Sequence, residues 1–328
     1  MAWLILFSSL LGFLITLVVT PKITQYLIKI NVIVKDMNKK DKPLVPISGG
    51  LGVATGFFIG IMLYLFINTF FYEDTENLTF LLAAVLSILI ITLIGFIDDL
   101  SVKLGEKGIY LGLKQWQKPL LTLFAAIPLM VINAGTSVVS LPFFGQINLG
   151  IIYALILVPI GVVGASNMVN LLAGFNGVEA GMGIIYTGML GLFAYLHGGT
   201  VAAVIAFITF SSLIAFFIYN KYPAKILPGD SLTYLLGAVM VSIAILGNIE
   251  KAALIASIPF FVEFVLKFRG KFKKQSYGYW KNGKIQSLYK KIYSIHHFFT
   301  ITGKFTEKQI TYFSILIELF FCSLIWFL

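Results

Sequence analysis

The chain of 328 residues has little charge and almost no cysteine. Only 12% of its residues are charged, 59% are hydrophobic, and the one cysteine is Cys322. A single cysteine excludes an intrachain disulfide and a metal site built from cysteines. A water-soluble domain of this length needs far more polar surface, so the composition indicates a polytopic membrane protein.

Ten apolar stretches are long enough, or nearly so, to cross a bilayer core as helices of about 20 residues. We therefore expect an all-α protein with a single membrane domain over 1–328 and both termini on the non-cytoplasmic side. No basic residue precedes the first stretch and no small-residue cleavage site follows it, so we expect it to be retained. The predicted spans are 2–20, 49–71, 79–97, 118–133, 149–166, 180–196, 200–219, 231–247, 251–267 and 310–327.

Basic residues alternate between the connections of these spans. The odd-numbered connections carry 23 of the 24 Lys and Arg residues, and the even-numbered ones carry only Lys251. The positive-inside bias places the odd connections in the cytoplasm. The longest is a predicted cytoplasmic loop at 267–309, where basic and aromatic residues interleave as suits the lipid headgroup region. Orientation and headgroup attraction account for the net charge of +10, so we expect membrane lipids as partners and no nucleic acid.

Polar residues suited to chemistry lie in the same odd-numbered connections, which is the layout of an enzyme acting on a cytosolic substrate. Asp98 and Asp99 end the third span, where two carboxylates are costly unless a cation compensates them. On a helix they diverge by about 100°, so both reach one ligand only if the helix unwinds locally. Two interpretations of this pair remain open. The carboxylates bind a metal ion or act as a general base, or they simply mark a helix end that is solvated by the cytosol.

A second cluster places Asn167, Asn170, Asn176 and Glu179 among glycines, and Asp230 follows a Pro-Gly turn. Asparagine and carboxylate oxygens from separate cytosolic edges suit Mg²⁺, which takes one or two protein carboxylates plus substrate phosphates. A glycine-rich turn with capping residues, and an ordinary helix cap at Asp230, are the structural alternatives.

The histidine pair His296 and His297 precedes the last span. Zinc is disfavoured because no cysteine or third histidine lies near and adjacent residues rarely chelate together. The two rings suit phosphate and sugar hydroxyls better, with ordinary interfacial histidines as the alternative.

Taken in order, these segments resemble the polyprenyl-phosphate N-acetylhexosamine-1-phosphate transferases of the glycosyltransferase 4 type. The resemblance is closest to the archaeal and eukaryotic branch, and it implies ten helices with both termini outside the cytosol. It also implies transfer of N-acetylglucosamine-1-phosphate from UDP-GlcNAc to dolichyl phosphate with release of UMP, the first step of lipid-linked glycan assembly. The segments that carry it are "DMNKKDKPLVPISGG", "NLLAGFNGVEAG", "YPAKILPGDSLTYLLG" and "SIHHFFTITGKFT".

The resemblance also implies the catalytic and metal residues. Asp98 and Asp99 match the aspartate pair near the acceptor phosphate and are the expected catalytic residues. Asn170 and Asp230 match the ligands of Mg²⁺, for which Mn²⁺ is an alternative.

Four further residues match substrate-binding positions. Lys118 matches a lysine near the phosphates, and Asn176 matches the asparagine that reads uracil. His296 and His297 fall where the family places residues against the diphosphate and sugar.

Several alternatives remain open. The acceptor could be undecaprenyl phosphate, the sugar another UDP-N-acetylhexosamine, the membrane a cell or endoplasmic-reticulum-type membrane, and the protein a homodimer. A secondary transporter is the distant alternative, because Glu263 and Glu318 lie inside apolar spans. The polar clusters lie at one face and not at the midplane where transporters bind. A non-catalytic scaffold is the last alternative, and Mg²⁺-dependent release of UMP from a UDP-sugar would exclude both rivals.

Overall fold

The computed structural model describes residues 2–106, 113, 116–141 and 145–328, and it is mostly helical. Within this part of the chain, eight helical segments are long and apolar enough to cross a membrane. Part of the predicted connection 98–118 lies outside the described residues. The helices are α1 (Ala2–Lys29), α2 (Gly50–Phe71), α3 (Leu78–Glu106), α4 (Gln117–Thr122), α5 (Ile127–Val131), α6 (Val158–Leu171), α7 (Val178–Leu196), α8 (Thr200–Asn220), α9 (Gly229–Gly247), α10 (Glu250–Ala256), α11 (Ile258–Arg269), α12 (His297–Thr300) and α13 (Glu307–Ser323).

The predicted fourth and ninth spans are interrupted. The fourth consists of α4, a 3₁₀ turn at Leu123–Ala126 and α5, and the ninth divides at Ser257 into α10 and α11. Pro128 and Pro259 lie in the first turns of α5 and α11, where a residue without an N–H begins a new helix instead of continuing the old one. The mostly helical membrane architecture is confirmed, while the count of ten spans and the sides of the termini stay predictions.

Helix α9 forms the centre of the bundle. All its residues from Ser231 to Ile245 are buried, and it packs against α3, α6 and α8. Small residues allow this close approach of the helices. In a membrane, apolar surface gains little by leaving lipid, so the helices associate mainly through close van der Waals packing. A Cβ at Gly95 of α3 would clash with the backbone of Asp230, so glycine permits the end of α3 to lie directly against the start of α9.

Three antiparallel hairpins lie between the helices of the described chain, and they depart from a purely α-helical prediction. Two of the hairpins lie near the site. The first, β1–β2, follows α1, and the other, β5–β6, lies in the predicted cytoplasmic loop 267–309. The pairs are β1 (Ile33–Lys35) with β2 (Leu44–Pro46), β3 (Val138–Leu141) with β4 (Gly145–Asn148), and β5 (Tyr279–Lys281) with β6 (Lys284–Gln286).

The loop 267–309 is folded against the bundle by a buried carboxylate. Glu263 of α11 accepts hydrogen bonds from the Ile295 backbone N–H at 2.7 Å and the Ser294 hydroxyl at 3.1 Å. Its other oxygen lies 3.4 Å from the Ser276 hydroxyl and 3.7 Å from Lys267 Nζ. Glu263 therefore has a structural role at the base of the loop, which removes part of the support for a proton-relaying transporter.

Candidate active site

The two adjacent aspartates, Asp98 and Asp99, lie in the C-terminal part of α3 and face different partners, as their angular separation predicts. Asp99 is 3% exposed and lies at the start of α9. Its carboxylate accepts hydrogen bonds from the backbone N–H groups of Asp230 at 2.8 Å and Ser231 at 3.2 Å, and from the Ser48 hydroxyl. These are N–H groups that a helix leaves without intrahelical partners. Asp99 therefore acts as a cap supplied by another helix, and it joins α3, α9 and the turn before α2.

Gly229 makes this capping contact sterically feasible. Its φ angle is +73°, a conformation that side chains rarely adopt, and a Cβ there would overlap the Asp99 carboxylate. The Pro-Gly turn seen in the sequence thus places the first turn of α9 around Asp99.

Asp98 belongs to a charged cluster with Lys118 and Asp230. Lys118 Nζ lies 2.5 Å from the Asp98 carboxylate and 2.9 Å from the Asp230 carboxylate. Asp98 also accepts a hydrogen bond from the Leu113 backbone N–H at 3.3 Å. One ammonium group between two carboxylates leaves a net negative charge, which favours a further cation at this point.

Helix α4 brings Lys118 to this cluster, and α6 holds α4 in place. Asn167 of α6 donates to its own helix at Val163 O, 2.8 Å away, and approaches the Thr122 hydroxyl of α4 at 3.4 Å. Asn167 is therefore a structural residue of the polar cluster, beside the predicted ligand Asn170 on the same helix.

Asn170 and Asp230 line one cavity of about 420 Å³, together with Asn176 and Glu179. The structure thus brings together residues from the ends of α6, α7 and α9. Within the described chain there is no group of three or more His, Cys, Asp or Glu residues able to enclose a metal ion. Two oxygen ligands would suit Mg²⁺, which typically takes one or two protein carboxylates plus substrate phosphates. The donor set therefore fits the predicted metal, with Asn170 and Asp230 as the residues that would hold it.

A second cavity of about 480 Å³ lies at the opposite end of the bundle, between Asp74, His197 and Asn248. It contains none of the residues predicted from the sequence. The predicted site residues of α3 lie instead in its C-terminal part, and Asn176 and Asp230 lie near the starts of α7 and α9.

Asn176 is 2% exposed and its side-chain amide is held by the protein itself. Its Oδ1 accepts from Lys39 Nζ at 2.8 Å and from the Ala224 backbone N–H at 3.0 Å, and its Nδ2 donates to Asp36 at 3.1 Å. It still lines the 420 Å³ cavity, so contact with a base stays a prediction.

The two histidines have different surroundings. His297 is fully bonded: its Nδ1 accepts from the Tyr293 backbone N–H at 3.1 Å, and its Nε2 donates to the Gln275 carbonyl at 3.0 Å. Among the residues that the structure describes, neither ring nitrogen of His296 has a hydrogen-bond partner. Its ring lies 4.6 Å from that of Phe175, centroid to centroid. Burial lowers the pKa of His296 to about 3 and that of His297 to about 4. Both rings are therefore neutral near pH 7, and of the two only His296 has ring nitrogens that no group in the described part of the chain bonds.

Sequence reasoning assigned no role to the segment at 36–39, although it was part of the resemblance. Asp36, Asn38 and Lys39 are all turned inward, and Asn38 bridges the Gly174 carbonyl at 2.6 Å and the Gly278 N–H at 3.1 Å. In the sequence this segment counted only for its basic residues, which indicate the cytoplasmic side. Only the folded chain shows that these side chains organise the loop between α6 and α7.

The model of the family described as Glycosyl transferase family 4 matches residues 81–248. That range includes all the predicted site residues except the two histidines. Two archaeal proteins provisionally named UDP-N-acetylglucosamine–dolichyl-phosphate N-acetylglucosaminephosphotransferase are similar to the chain along most of its length. The Saccharolobus solfataricus protein is 37% identical over 93% of this chain and 91% of its own. The Sulfolobus acidocaldarius protein is 34% identical over 98% and 94%. A Dictyostelium discoideum protein with the same enzyme name is 26% identical over 94% and 85%.

Proposed function

Because the chain belongs to glycosyl transferase family 4, we propose that it transfers N-acetylglucosamine-1-phosphate from UDP-GlcNAc to dolichyl phosphate and releases UMP. The names of the two archaeal relatives support the donor and the acceptor, since their alignments span 93% and 98% of this chain. The observation that carries the proposal is the cluster of Asp98, Lys118 and Asp230 at the end of the helix bundle, beside the cavity.

The reaction joins groups that repel one another. A phosphate oxygen of the acceptor lipid attacks the β-phosphorus of the donor, and the bridging oxygen leaves with UMP. The cluster at Lys118 supports this chemistry, because its ammonium group neutralises charge that develops on the leaving phosphate. A Mg²⁺ ion held by Asn170 and Asp230 would neutralise further phosphate charge. The remaining requirement is in-line positioning of the two substrates.

The two aspartates have separate roles in this proposal. Asp98 faces Lys118 and Asp230 and is the carboxylate able to accept a proton from, or orient, the acceptor phosphate. Asp99 acts through α9, whose first turn it holds in place together with the ligand Asp230. Asp98 is thus the catalytic residue of the pair, and Asp99 is a positioning residue.

The location of the cluster suits an acceptor whose tail stays in lipid. Asp98 lies in the last part of the membrane-spanning segment Leu78–Ser101, and Asp230 lies in the first turn of Gly229–Gly247. The concentration of basic residues in the connections at this end supports a cytoplasmic orientation of the site.

Purified protein in mixed micelles tests the proposal directly. With UDP-GlcNAc, dolichyl phosphate and Mg²⁺, we expect equal amounts of UMP and a lipid-linked GlcNAc diphosphate. Replacing Asp230 or Asn170 with alanine should abolish both products, and a chelator should do the same to the wild-type protein. A panel of UDP-N-acetylhexosamines, each with dolichyl or undecaprenyl phosphate, distinguishes the proposed substrates from the alternatives. Absence of lipid product from every pair would refute the transferase assignment.

A further inference from the structure

The amide of Asn176 is fixed in one orientation by three neighbouring groups. Its Oδ1 faces Lys39 Nζ and the Ala224 backbone N–H, which can only donate, and its Nδ2 faces Asp36, whose carboxylate accepts. Rotating the amide by 180° would place two donors against its NH₂ group and a carboxylate against its oxygen. The network therefore determines which end of the amide is the oxygen.

Lys39 is itself held tightly. Its ammonium group lies 3.0 Å from Asp36, contacts the Glu307 carboxylate, and sits 4.5 Å from the centre of the Tyr222 ring. Its side chain is only 13% exposed. Glu307 also accepts from the Asn176 backbone N–H at 3.1 Å. Elements distant in the sequence thus converge on Asn176.

This geometry decides what Asn176 can offer to a ligand. An amide oxygen has two lone pairs, and both are taken by Lys39 and Ala224. One of the two Nδ2 hydrogens is taken by Asp36. Among the described residues Asp36 is the one acceptor for Nδ2, so the second Nδ2 hydrogen is the group that Asn176 can offer to a molecule in the cavity that it lines with Asp230. Toward that cavity Asn176 is a donor and not an acceptor.

We propose that Asp36 and Lys39 are positioning residues that hold Asn176 as a hydrogen-bond donor to the C4 carbonyl of uracil, and so select uridine over cytidine donors. The inference rests on the proposed function, because it assumes that the cavity takes the nucleoside of a UDP-sugar. Uracil carries a carbonyl acceptor at C4, where cytosine carries an amine donor. If the Asn176 NH₂ group is fixed toward the base, it meets the C4 amine of cytosine, and neither of these two donors finds an acceptor. A binding site that leaves buried polar groups unpaired discriminates strongly against that ligand.

The test measures the dissociation constants of UMP and CMP for the full-length protein in detergent. Lys39→Met removes one of the two donors to the amide oxygen and the cation beside Asp36, while the Ala224 N–H and Asp36 remain. The bias toward the present orientation is therefore weaker, and the rotated amide, with its oxygen toward the base, becomes more populated. We expect UMP to bind about tenfold more weakly, the effect of about one hydrogen bond, and CMP to change little. The preference for UMP, expressed as the dissociation constant of CMP divided by that of UMP, should therefore fall by about tenfold. Lys39→Arg, which keeps a donor at this point, should recover most of the preference.

Lys40→Met is the matched control. Lys40 is the next residue along the chain, is exposed, and lies 5.9 Å from the Trp280 ring. Its replacement should leave both constants unchanged. In turnover assays, Lys39→Met should raise the KM for UDP-GlcNAc with little change in kcat. The reason is that, in the described chain, Lys39 forms ion pairs with Asp36 and Glu307 and not with the cluster of Asp98 and Lys118.

Two outcomes would overturn the inference. Equal weakening of UMP and CMP would show that Lys39 only supports the loop, and an unchanged UMP constant would show that it does not act on the base at all. If Lys39→Met is not recovered as folded protein, the double variant Lys39→Met with Glu307→Gln removes one of the unpaired buried carboxylates and is measured in its place. Wild-type protein that binds UMP but yields no lipid product would refute the proposed function alone.

Discussion

Replacing Asp99 with asparagine is expected to destabilise the start of α9 more than it alters the chemical step. Asparagine has nearly the same shape but only one acceptor oxygen. Whichever way the new amide turns, its NH₂ group faces one of the backbone N–H groups of Asp230 and Ser231, now 2.8 Å and 3.2 Å from acceptor oxygens. One helix N–H therefore loses its partner in a buried position.

The magnitude follows from these contacts. A hydrogen bond to a charged group contributes about 1.5–3 kcal/mol, and a carboxylate at a helix N-terminus adds about 0.3–1 kcal/mol. Together these predict a loss of roughly 2–4 kcal/mol. For a chain of this size that corresponds to a fall in melting temperature of roughly 3–6 °C.

The assay compares Asp99→Asn with Asp98→Asn in the same detergent. Asp98→Asn makes the same chemical change one residue away, where the carboxylate pairs with Lys118 and does not cap the backbone N–H groups of α9. We expect it to melt near the wild-type temperature, to keep its affinity for UDP-GlcNAc and to lose turnover by roughly 100-fold or more. A wild-type melting temperature for Asp99→Asn would refute the capping role, and loss of donor affinity with an unchanged maximal rate in Asp98→Asn would place Asp98 in the donor site.

Three further predictions concern the loop 267–309. The folded pKa of His296, about 3, lies below the value near 6.5 of a free histidine, so its contribution to stability is complete above pH 6.5 and declines as the pH falls toward 3. About 2 kcal/mol should be lost between pH 7 and pH 5, and melting curves of His296→Phe should show a shallower pH dependence. Replacing His296 and His297 together with alanine should raise the donor KM or lower turnover, whereas alanine at all three of Lys271, Lys273 and Lys274 should leave both nearly unchanged in neutral lipid; the reverse pattern would mean that the lysines bind substrate. Glu263→Gln should lower the melting temperature, because its amide cannot accept from all of the donors now bound to the carboxylate, including the Ile295 N–H at 2.7 Å; an unchanged melting temperature would contradict that role.

The membrane character and the general location of the chemistry are encoded in local sequence. Span length and apolar content depend only on consecutive residues, and the ten spans predicted from them include the eight long apolar helices of the described chain. The breaks in the fourth and ninth spans were harder to predict, because proline position changes the helix without changing its hydropathy. The hairpins at 33–46 and 279–286 were not predicted, because their strands are only three residues long and carry no clear alternation of apolar and polar residues.

The bonding partners of the site side chains, and hence their roles, depend on the tertiary structure. Asp98 and Asp99 are adjacent in sequence, but they differ because the backbone N–H groups at the start of α9 bond only Asp99 among the two. That close approach of α9 depends on the glycines at 95 and 229. His296 and His297 look equivalent in the sequence, yet only His297 meets the Gln275 carbonyl.

Local sequence therefore determined that the chain is a helical membrane protein with its polar residues at one end of the bundle, because hydropathy and charge act residue by residue. The partner of each polar residue came from the fold alone. A buried carboxylate or amide bonds to whatever group the packing brings within about 3 Å. For Asn176 those groups come from positions 36, 39 and 224, and no sequence window contains them all.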